Sequence, residues 1–262
     1  MSVVAVIPAR YPSQRFPGKP LQMLKGASGT ARSLLERTHA AAAAAKGIDR
    51  IVVATDDERI ADHARPFADV VMTSDQCRNG TERCAEVLQT LKSPPDIVLN
   101  VQGDAPLTPP DFIEALIDGI GDAGMATPIL PCTRAMLERF REDRRAGRVG
   151  GTLAVTARDL SALYFSKEVI PFADRITTEA AAQTVFHHVG LYAYRPDALA
   201  AYMAWPPGTL EMREGLEQLR FLENGARVRC VPLDAKGREF WELNNPVDVA
   251  RVEAALAAAG ID

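Results

Sequence analysis

Three cations stand close together directly after the first hydrophobic run of the chain. They are Arg10, Arg15 and Lys19 in the stretch VVAVIPARYPSQRFPGKPLQ, and residues 1–33 contain no acidic side chain. Four prolines interrupt the stretch, and they prevent a continuous helix because proline lacks the backbone N–H. A positive, non-helical loop with free amides and a glycine suits phosphate groups. The loop therefore predicts a site for a small phosphate-bearing ligand, with a solvated basic loop as the alternative.

An aspartate follows another predicted strand. Asp104 comes after the hydrophobic residues 97–101 in the run NVQGDAP, and polar residues also follow the strands predicted at 51–54 and 69–72. In an open parallel sheet, ligands bind beyond the carboxyl ends of the strands, so these segments should converge on one edge. Mg²⁺ usually binds through one or two carboxylates together with phosphates. The cations and Asp104 together predict a Mg²⁺–nucleotide site.

Hydrophobic runs rich in β-branched residues alternate with helical patterns over the first half of the chain. The predicted strands are residues 3–7, 51–54, 69–72 and 97–101, and the predicted helices are 30–46, 57–64 and 81–91. This alternation is typical of βαβ units, so we predict an α/β fold with a doubly wound, mostly parallel sheet. Thr55 and Asp56 are predicted to cap the second of these helices.

The pattern changes after about residue 129. The runs SALYFSKEVIP and HHVGLYAYR alternate in hydrophobicity and predict antiparallel strands, whereas helices are predicted near residues 211–223 and 246–259, with a strand at 227–231 between them. We interpret the chain as a single domain, residues 1–262, in which a smaller β-rich insertion spans about residues 130–195 and makes the sheet mixed.

Composition excludes several classes of function. The 262 residues carry a net charge of −4, which argues against nucleic acid as a partner. The four cysteines lack C-x-x-C spacing, so reduced thiols in a cytoplasmic protein are expected. The first apolar run is about five residues long, too short for a signal peptide or a membrane span.

Several motifs, taken in order, resemble one family. They are IPARYPSQRFPGKPL, NGTER, VQGDAP, ALYFSKEVIP, HVGLYAYR and LEQLR. This series, from residue 3 to about 253, resembles the 3-deoxy-manno-octulosonate cytidylyltransferases, or CMP-Kdo synthetases. The resemblance implies a nucleotide-diphospho-sugar transferase fold and Mg²⁺-dependent transfer of CMP from CTP to the acidic sugar Kdo, with release of pyrophosphate. It also implies a homodimer and a role in lipopolysaccharide or capsule synthesis.

The resemblance assigns roles to parts of the chain and to residues. It implies that about residues 1–129 bind the nucleotide and that the insertion at 130–195 binds the acceptor and forms the dimer. Residues 196–262 form the C-terminal return. The implied triphosphate and catalytic residues are Ala9, Arg10, Ser13, Arg15, Lys19 and Asp104. Those implied near the cytosine and the floor of the site are Asn79, Gly80, Thr81, Glu82 and Gln102. Those implied to hold the sugar acid are Gln102, His188, Tyr192, Glu217 and Gln218. Asp104 and the residue at position 244 are implied metal ligands.

Local sequence patterns also make predictions about the residues that the resemblance implies at the acceptor. His188 and Tyr192 are four apart in a strand-like run, which predicts that they face the same side. Glu217 and Gln218 fall on a predicted amphipathic helix whose apolar face is Met212, Leu216, Leu219 and Leu222. No Ser-His-Asp or Cys-His signature is present, so the nucleophile is predicted to be the hydroxyl of the substrate. Catalysis then depends on positioning and charge neutralisation.

The chain departs from the family pattern at several positions. Ala105 stands where the family usually has Glu, and Asn244 stands where it has an Asp that ligates a second metal ion. Asn offers one neutral oxygen, so metal affinity should fall at that position. A lysine usual in the family is absent from GGTLAVTARD. Two alternatives therefore stay open: a cytidylyltransferase for another acid, such as a modified ulosonate or a phosphonate, and a non-catalytic nucleotide-binding homologue.

Overall fold

The chain is described here from a computed structural model, which covers residues 1–13, 15–149, 151–173, 176–238, 243 and 245–262. The chain consists of two compact units. Unit 1 comprises Met1–Ile117 and Ala235–Asp262, and unit 2 comprises Asp118–Asp234. The single-domain interpretation, with its boundaries near residues 129 and 195, stays a prediction.

Twelve strands and ten α-helices are assigned in the described residues. The strands are β1 (Val3–Ala9), β2 (Met23–Lys25), β3 (Ala31–Ser33), β4 (Arg50–Thr55), β5 (Asp69–Met72), β6 (Ile97–Val101), β7 (Met125–Pro131), β8 (Thr152–Thr156), β9 (Ala162–Ser166), β10 (Phe186–His188), β11 (Leu191–Tyr194) and β12 (Val228–Pro232). The helices are α1 (Leu34–Ala43), α2 (Glu58–Ala64), α3 (Gly80–Thr90), α4 (Pro110–Gly119), α5 (Arg134–Arg145), α6 (Glu179–Ala182), α7 (Pro196–Ala204), α8 (Thr209–Glu214), α9 (Leu219–Glu223) and α10 (Val249–Ala258).

Unit 1 contains the parallel βαβ sheet that the sequence predicts. Its strands lie in the order β5-β4-β1-β6, and each pairing is parallel. The central strands β1 and β6 are almost wholly buried, which explains their hydrophobic runs, whereas the edge strand β5 has no buried residue. A separate antiparallel pair, β2 and β3, precedes α1. Helix α1 is shorter than the helix predicted at 30–46, because residues 31–33 form β3 and Ser33 then caps α1 through a capping box with Glu36.

Unit 2 is organised around β7. This strand pairs antiparallel with β10 and β11 and parallel with β12, and β8 pairs antiparallel with both β10 and β9. The antiparallel strands predicted from SALYFSKEVIP and HHVGLYAYR are therefore confirmed. His188 and Tyr192, however, lie on two strands, β10 and β11, which are separated by Val189 and Gly190.

The helix predicted at residues 211–223 is wrong. Gly215 adopts a left-handed conformation (φ 62°) that ends α8, and α9 begins only at Leu219. Glu217 and Gln218 therefore lie in the break between two short helices. Met212, assigned to the apolar face, is 68% exposed. A left-handed glycine stops a helix in a way that hydrophobic spacing does not reveal.

No described helix combines the length and the apolar character that crossing a lipid bilayer requires. All four cysteines are free and buried, and burial raises the pKa of Cys77, Cys132 and Cys230 to about 12. These thiols are protonated at neutral pH, which makes them poor nucleophiles.

A buried ion pair joins α8 and α9 within unit 2. Arg220 is 1% exposed, and it donates from Nε and Nη2 to the two carboxylate oxygens of Glu211 at 2.7 and 2.5 Å. Its guanidinium carbon lies 3.9 Å from the centroid of the Tyr202 ring, and the Tyr202 hydroxyl donates to Glu211 at 3.2 Å. The amide of Gly208 also donates to Glu211 at 3.1 Å. The Glu211 carboxylate is therefore well satisfied although it is buried.

Replacing Glu211 with Gln should leave the Arg220 guanidinium buried without a counter-charge. We expect a loss of roughly 3 to 5 kcal/mol in the free energy of unfolding, measured with urea. The double variant Glu211→Leu/Arg220→Met should lose less, because no charge stays buried. Arg213→Gln, at an exposed position of α8, is the control and should change stability by less than about 0.5 kcal/mol. An equally small effect of Glu211→Gln on the free energy of unfolding would show that the Glu211–Arg220 pair does not stabilise the fold.

Candidate functional site

The loop after β1 is shaped by its own backbone hydrogen bonds. The amide of Gly18 donates to the carbonyl of Tyr11 at 3.0 Å, and the amide of Phe16 donates to Ser13 Oγ at 3.2 Å. Gly18 has a φ of 69°, and a Cβ there would lie 3.2 Å from the Tyr11 ring, so a glycine is required. Ser13 therefore stabilises a turn of the loop. Of the predicted phosphate ligands, Arg10 and Arg15 are exposed.

The base of the loop packs on the start of α2. The guanidinium carbon of Arg59 lies 3.3 Å from the centroid of the Tyr11 ring, and the same side chain pairs with Asp57 at 2.6 Å. Hydrogen bonding from Arg59 is the main reason that the pKa of Asp57 is lowered. The sequence did not reveal this cation–π contact, because Tyr11 and Arg59 are far apart in the chain.

The cap predicted at Asp56 is wrong. Asp57 caps α2, since its carboxylate accepts from the amide of Arg59. Asp56 instead pairs with Arg83 of α3, with Oδ2 and Nη2 3.0 Å apart and the Arg83 side chain 4% exposed. Arg83 also donates to the Thr73 hydroxyl. This buried arginine joins the residues that follow β4 and β5 to the first turn of α3.

The start of α3 contains the residues predicted near the cytosine. Asn79 caps the helix, its Oδ1 accepting from the amide of Glu82 at 2.9 Å. The carboxylate of Glu82 accepts from the Arg78 amide at 2.7 Å and pairs with the Arg78 guanidinium at 2.7 Å. Thr81 is fully buried. Asn79 and Glu82 thus have clear structural roles in fixing this turn, and the turn presents the first amides of a helix.

A close approach of backbones fixes how these segments converge. A Cβ on Gly80 would lie 2.8 Å from Asn100 Nδ2 and 3.2 Å from both Gln102 Nε2 and Pro8 Cγ. A Cβ on Gly103 would lie 2.8 Å from the carbonyl oxygen of Pro8. The ends of β1 and β6 and the start of α3 therefore meet, as the sequence predicts. Gln102 Nε2 donates to Asn100 Oδ1 at 3.3 Å, which orients the predicted floor of the site.

Two of the predicted catalytic side chains contact each other. Lys19 Nζ lies 2.7 Å from Asp104 Oδ2, and the two side chains are 18% and 24% exposed. The backbone of Asp104 is held by the amide of Leu243, which donates to its carbonyl at 2.9 Å. Asn244, the other predicted metal ligand, lies outside the described residues.

The donor set around Asp104 fits a particular kind of cation site. No group of three or more histidine, cysteine or carboxylate side chains that would hold a metal occurs in the described part of the chain. A single partly exposed carboxylate suits Mg²⁺, which commonly takes its other ligands from substrate phosphates and water. It does not suit a closed zinc site, which needs four protein ligands.

Three of the residues predicted to hold the acceptor form a connected set in unit 2. The His188 and Tyr192 ring centroids are 5.5 Å apart, and the Tyr192 hydroxyl donates to Gln218 Oε1 at 3.3 Å. Gln218 is fully buried, and its Nε2 has no hydrogen-bond partner among the described residues. Glu217, also predicted for this role, is half-buried and precedes Gln218 in the chain. The set offers an amide donor to a ligand oxygen.

Burial keeps His188 neutral. Desolvation, reinforced by the neighbouring His187, lowers the pKa of His188 to about 3. Its Nε2 lies 2.8 Å from the hydroxyl of Thr127, and that hydroxyl also lies 2.9 Å from the carbonyl oxygen of Leu191, to which it donates. A neutral imidazole at pH 7 can position a substrate through a hydrogen bond, but it does not supply a positive charge.

Comparison with known proteins adds independent findings. A family model described as cytidylyltransferase matches residues 4–229, well over half of the chain. The chain is 46% identical over 264 residues to the 3-deoxy-manno-octulosonate cytidylyltransferase of Maricaulis maris, with 99% of each chain covered. It is 38% identical over 258 residues to the mitochondrial protein of that name from Arabidopsis thaliana, covering 97% of this chain and 83% of that one.

Comparison with solved structures agrees with the sequence comparison. The chain is similar to CMP:2-keto-3-deoxy-manno-octonic acid synthetase complexed with CTP, with a TM-score of 0.82, 29% identity and coverage of 99% of this chain and 100% of that one. A 4-diphosphocytidyl-2C-methyl-D-erythritol synthase from Anaerococcus prevotii, 15% identical with a TM-score of 0.59 and coverage of 97% and 96%, shares the fold. The fold class predicted from the sequence is confirmed.

The buried, neutral His188 should make stability depend on pH. The unfolded chain binds a proton at this residue below about pH 6.5, whereas the folded chain does so only near pH 3, so stability is lost as the pH falls through this window. Between about pH 7 and pH 5 the contribution is about 2 kcal/mol. His188→Gln should therefore show a smaller fall in unfolding free energy over that range, measured with urea at each pH. An unchanged pH dependence would contradict a neutral His188.

Proposed function

The chain belongs to the cytidylyltransferase family, and we propose that it transfers CMP from CTP to the anomeric hydroxyl of Kdo and releases pyrophosphate. Of the structural observations, the one that carries the proposal is the Lys19–Asp104 pair beside the end of β1, with exposed Arg10 and Arg15 in the same loop. A metal-binding carboxylate and three cations are the parts that transfer of a nucleotidyl group requires.

The loop after β1 is the proposed triphosphate site. Its backbone is fixed by internal hydrogen bonds, so little conformational entropy remains to be lost when a ligand binds. Arg10, Arg15 and Lys19 then neutralise charge on the phosphates as the bond to the α-phosphate breaks. Ala9 and Ser13 belong to this site through the shape of the loop, and pyrophosphate is the leaving group.

The first turn of α3 is the proposed cytosine site. Asn79, Gly80, Thr81 and Glu82 form this turn, and Gln102 lies against Gly80. Backbone amides and side-chain amides at fixed positions suit the carbonyl and the ring nitrogen of a pyrimidine, which accept hydrogen bonds. The solved relative bound to CTP supports CTP as the nucleotide.

Mg²⁺ is the proposed cofactor, with Asp104 as its protein ligand and position 244 as the second ligand that the family pattern implies. When bound, Mg²⁺ neutralises phosphate charge and lowers the pKa of a coordinated hydroxyl. No protein nucleophile is needed, because the anomeric hydroxyl of the acceptor attacks the α-phosphate directly.

The acceptor acid is proposed to bind in unit 2 through His188, Tyr192, Glu217 and Gln218. The role of Gln102, in unit 1, in binding the acceptor stays a prediction from the family resemblance. The unpartnered Nε2 of Gln218 is the donor best placed for this role, since a buried amide without a partner is costly unless a ligand satisfies it. Kdo carries a carboxylate and several hydroxyls that accept hydrogen bonds.

A homodimer and a cytoplasmic location complete the proposal. The homodimer is proposed from the family resemblance. The four buried, free thiols are consistent with a reducing compartment. The product would be used in the synthesis of lipopolysaccharide or capsule.

Release of pyrophosphate from CTP tests the function directly. We expect release with Kdo and Mg²⁺, little release with modified ulosonates or phosphonates, and none after addition of a chelator. Asp104→Asn should abolish release and leave the circular dichroism spectrum unchanged. Release with a different acid alone would identify a related cytidylyltransferase. CTP binding without release would identify a non-catalytic homologue.

Replacing Arg15 with Ala should weaken CTP binding, because one charge-assisted contact to the phosphates is lost. At about 1.5 to 3 kcal/mol per contact, the Kd should rise roughly ten- to a hundredfold, measured by isothermal titration calorimetry. Lys25→Ala removes an exposed cation from the same acid-free segment but from β2, and it should bind CTP like the wild type. Equal affinities of Arg15→Ala and wild type would place the triphosphate elsewhere.

A further inference from the structure

The Lys19–Asp104 ion pair has a consequence for the order in which ligands bind. We propose that Lys19 occupies the metal-binding carboxylate of Asp104 in the free protein and disfavours a divalent cation there until the phosphates of a nucleotide draw its ammonium away. The metal then enters with the nucleotide and not before it. This proposal rests on the proposed function, because it takes Asp104 to be the metal ligand.

The backbones on both sides of the ion pair are held in place. The amide of Lys19 donates to the carbonyl of Phe16 at 3.2 Å, and the carbonyl of Lys19 accepts from the amide of Gln22 at 3.0 Å. The carbonyl of Asp104 accepts from the amide of Leu243 at 2.9 Å. Only the side chains can therefore separate. The four-carbon stem of lysine allows this, because its ammonium is a mobile point charge.

The ammonium and a divalent cation compete for the same site. Lys19 Nζ already lies at 2.7 Å from Asp104 Oδ2, and both side chains are about four-fifths buried, so solvent screens the pair only in part. A cation on the carboxylate would lie within a few ångströms of a positive charge. The described residues contain no cluster of further carboxylates that would offset this repulsion.

A triphosphate removes the repulsion. It offers Lys19 several anionic oxygens at the loop where its own backbone is fixed, and it supplies the metal with ligands that a single carboxylate lacks. The exposed Arg10 and Arg15 in the same loop add to the attraction for the nucleotide. Nucleotide and metal should therefore bind with positive coupling, and Lys19 should account for part of it.

Binding of Mn²⁺ to the nucleotide-free protein tests the proposal without any turnover. The loss of the free Mn²⁺ signal in electron paramagnetic resonance reports the affinity. Lys19→Met keeps the length of the side chain and removes the charge, so it should bind Mn²⁺ at least tenfold more tightly than the wild type. Lys25→Met, at the exposed position in β2, should match the wild type. Lys19→Gln provides a second neutral variant, and thermal unfolding checks that each variant is folded.

Two further arms complete the experiment. The gain in Mn²⁺ affinity of Lys19→Met should disappear in Lys19→Met/Asp104→Asn. CTP should also increase the Mn²⁺ affinity less in Lys19→Met than in the wild type, after correction for Mn²⁺ bound to free CTP. Equal Mn²⁺ affinity in wild type and both neutral variants would overturn the proposal, because the metal would then tolerate Lys19. A gain that survives Asp104→Asn would also overturn it. Failure of the proposed function would appear instead as a lack of pyrophosphate release by the wild type.

Discussion

Parallel pairing of β1 with both β4 and β6 is the constraint on which the rest of unit 1 depends. Because the three strands run in the same direction, the residues that follow them must share one edge of the sheet. The space there is so limited that Gly80 and Gly103 approach neighbouring atoms more closely than any side chain would allow. The sheet therefore determines where the groups proposed to bind phosphate and metal lie.

Three aspartates brought to this edge are each paired with a cation. Asp56 is paired with Arg83, Asp57 with Arg59, and Asp104 with Lys19. Pairing matters because an isolated buried charge would destabilise the fold by several kcal/mol. The pairs differ in function, however. Arg83 is buried, whereas the Lys19 side chain lies at the site proposed for the phosphates, where a nucleotide is proposed to replace Asp104 as its partner.

Unit 2 is held together by stacked aromatic rings and a buried ion pair. The ring of Tyr192 stacks on that of Tyr194, and Phe221 in turn stacks on both Tyr194 and Tyr202. The Glu211–Arg220 pair fixes α8 and α9 on either side of the turn that contains Gln218. The buried Nε2 of Gln218 has no hydrogen-bond partner among the described residues, and burial keeps His188 neutral. Both properties suit recognition of an anionic acceptor by hydrogen bonds.

The sequence by itself determined the local features of this protein. The β-branched runs place the strands, and the motif series identifies the family. Only the tertiary structure decided that Asp56 pairs with Arg83 and that His188 and Tyr192 meet from separate strands. The reason is physical: hydrophobic runs and their periods depend on neighbouring residues, whereas these ion pairs and ring contacts depend on which distant residues the fold places beside them.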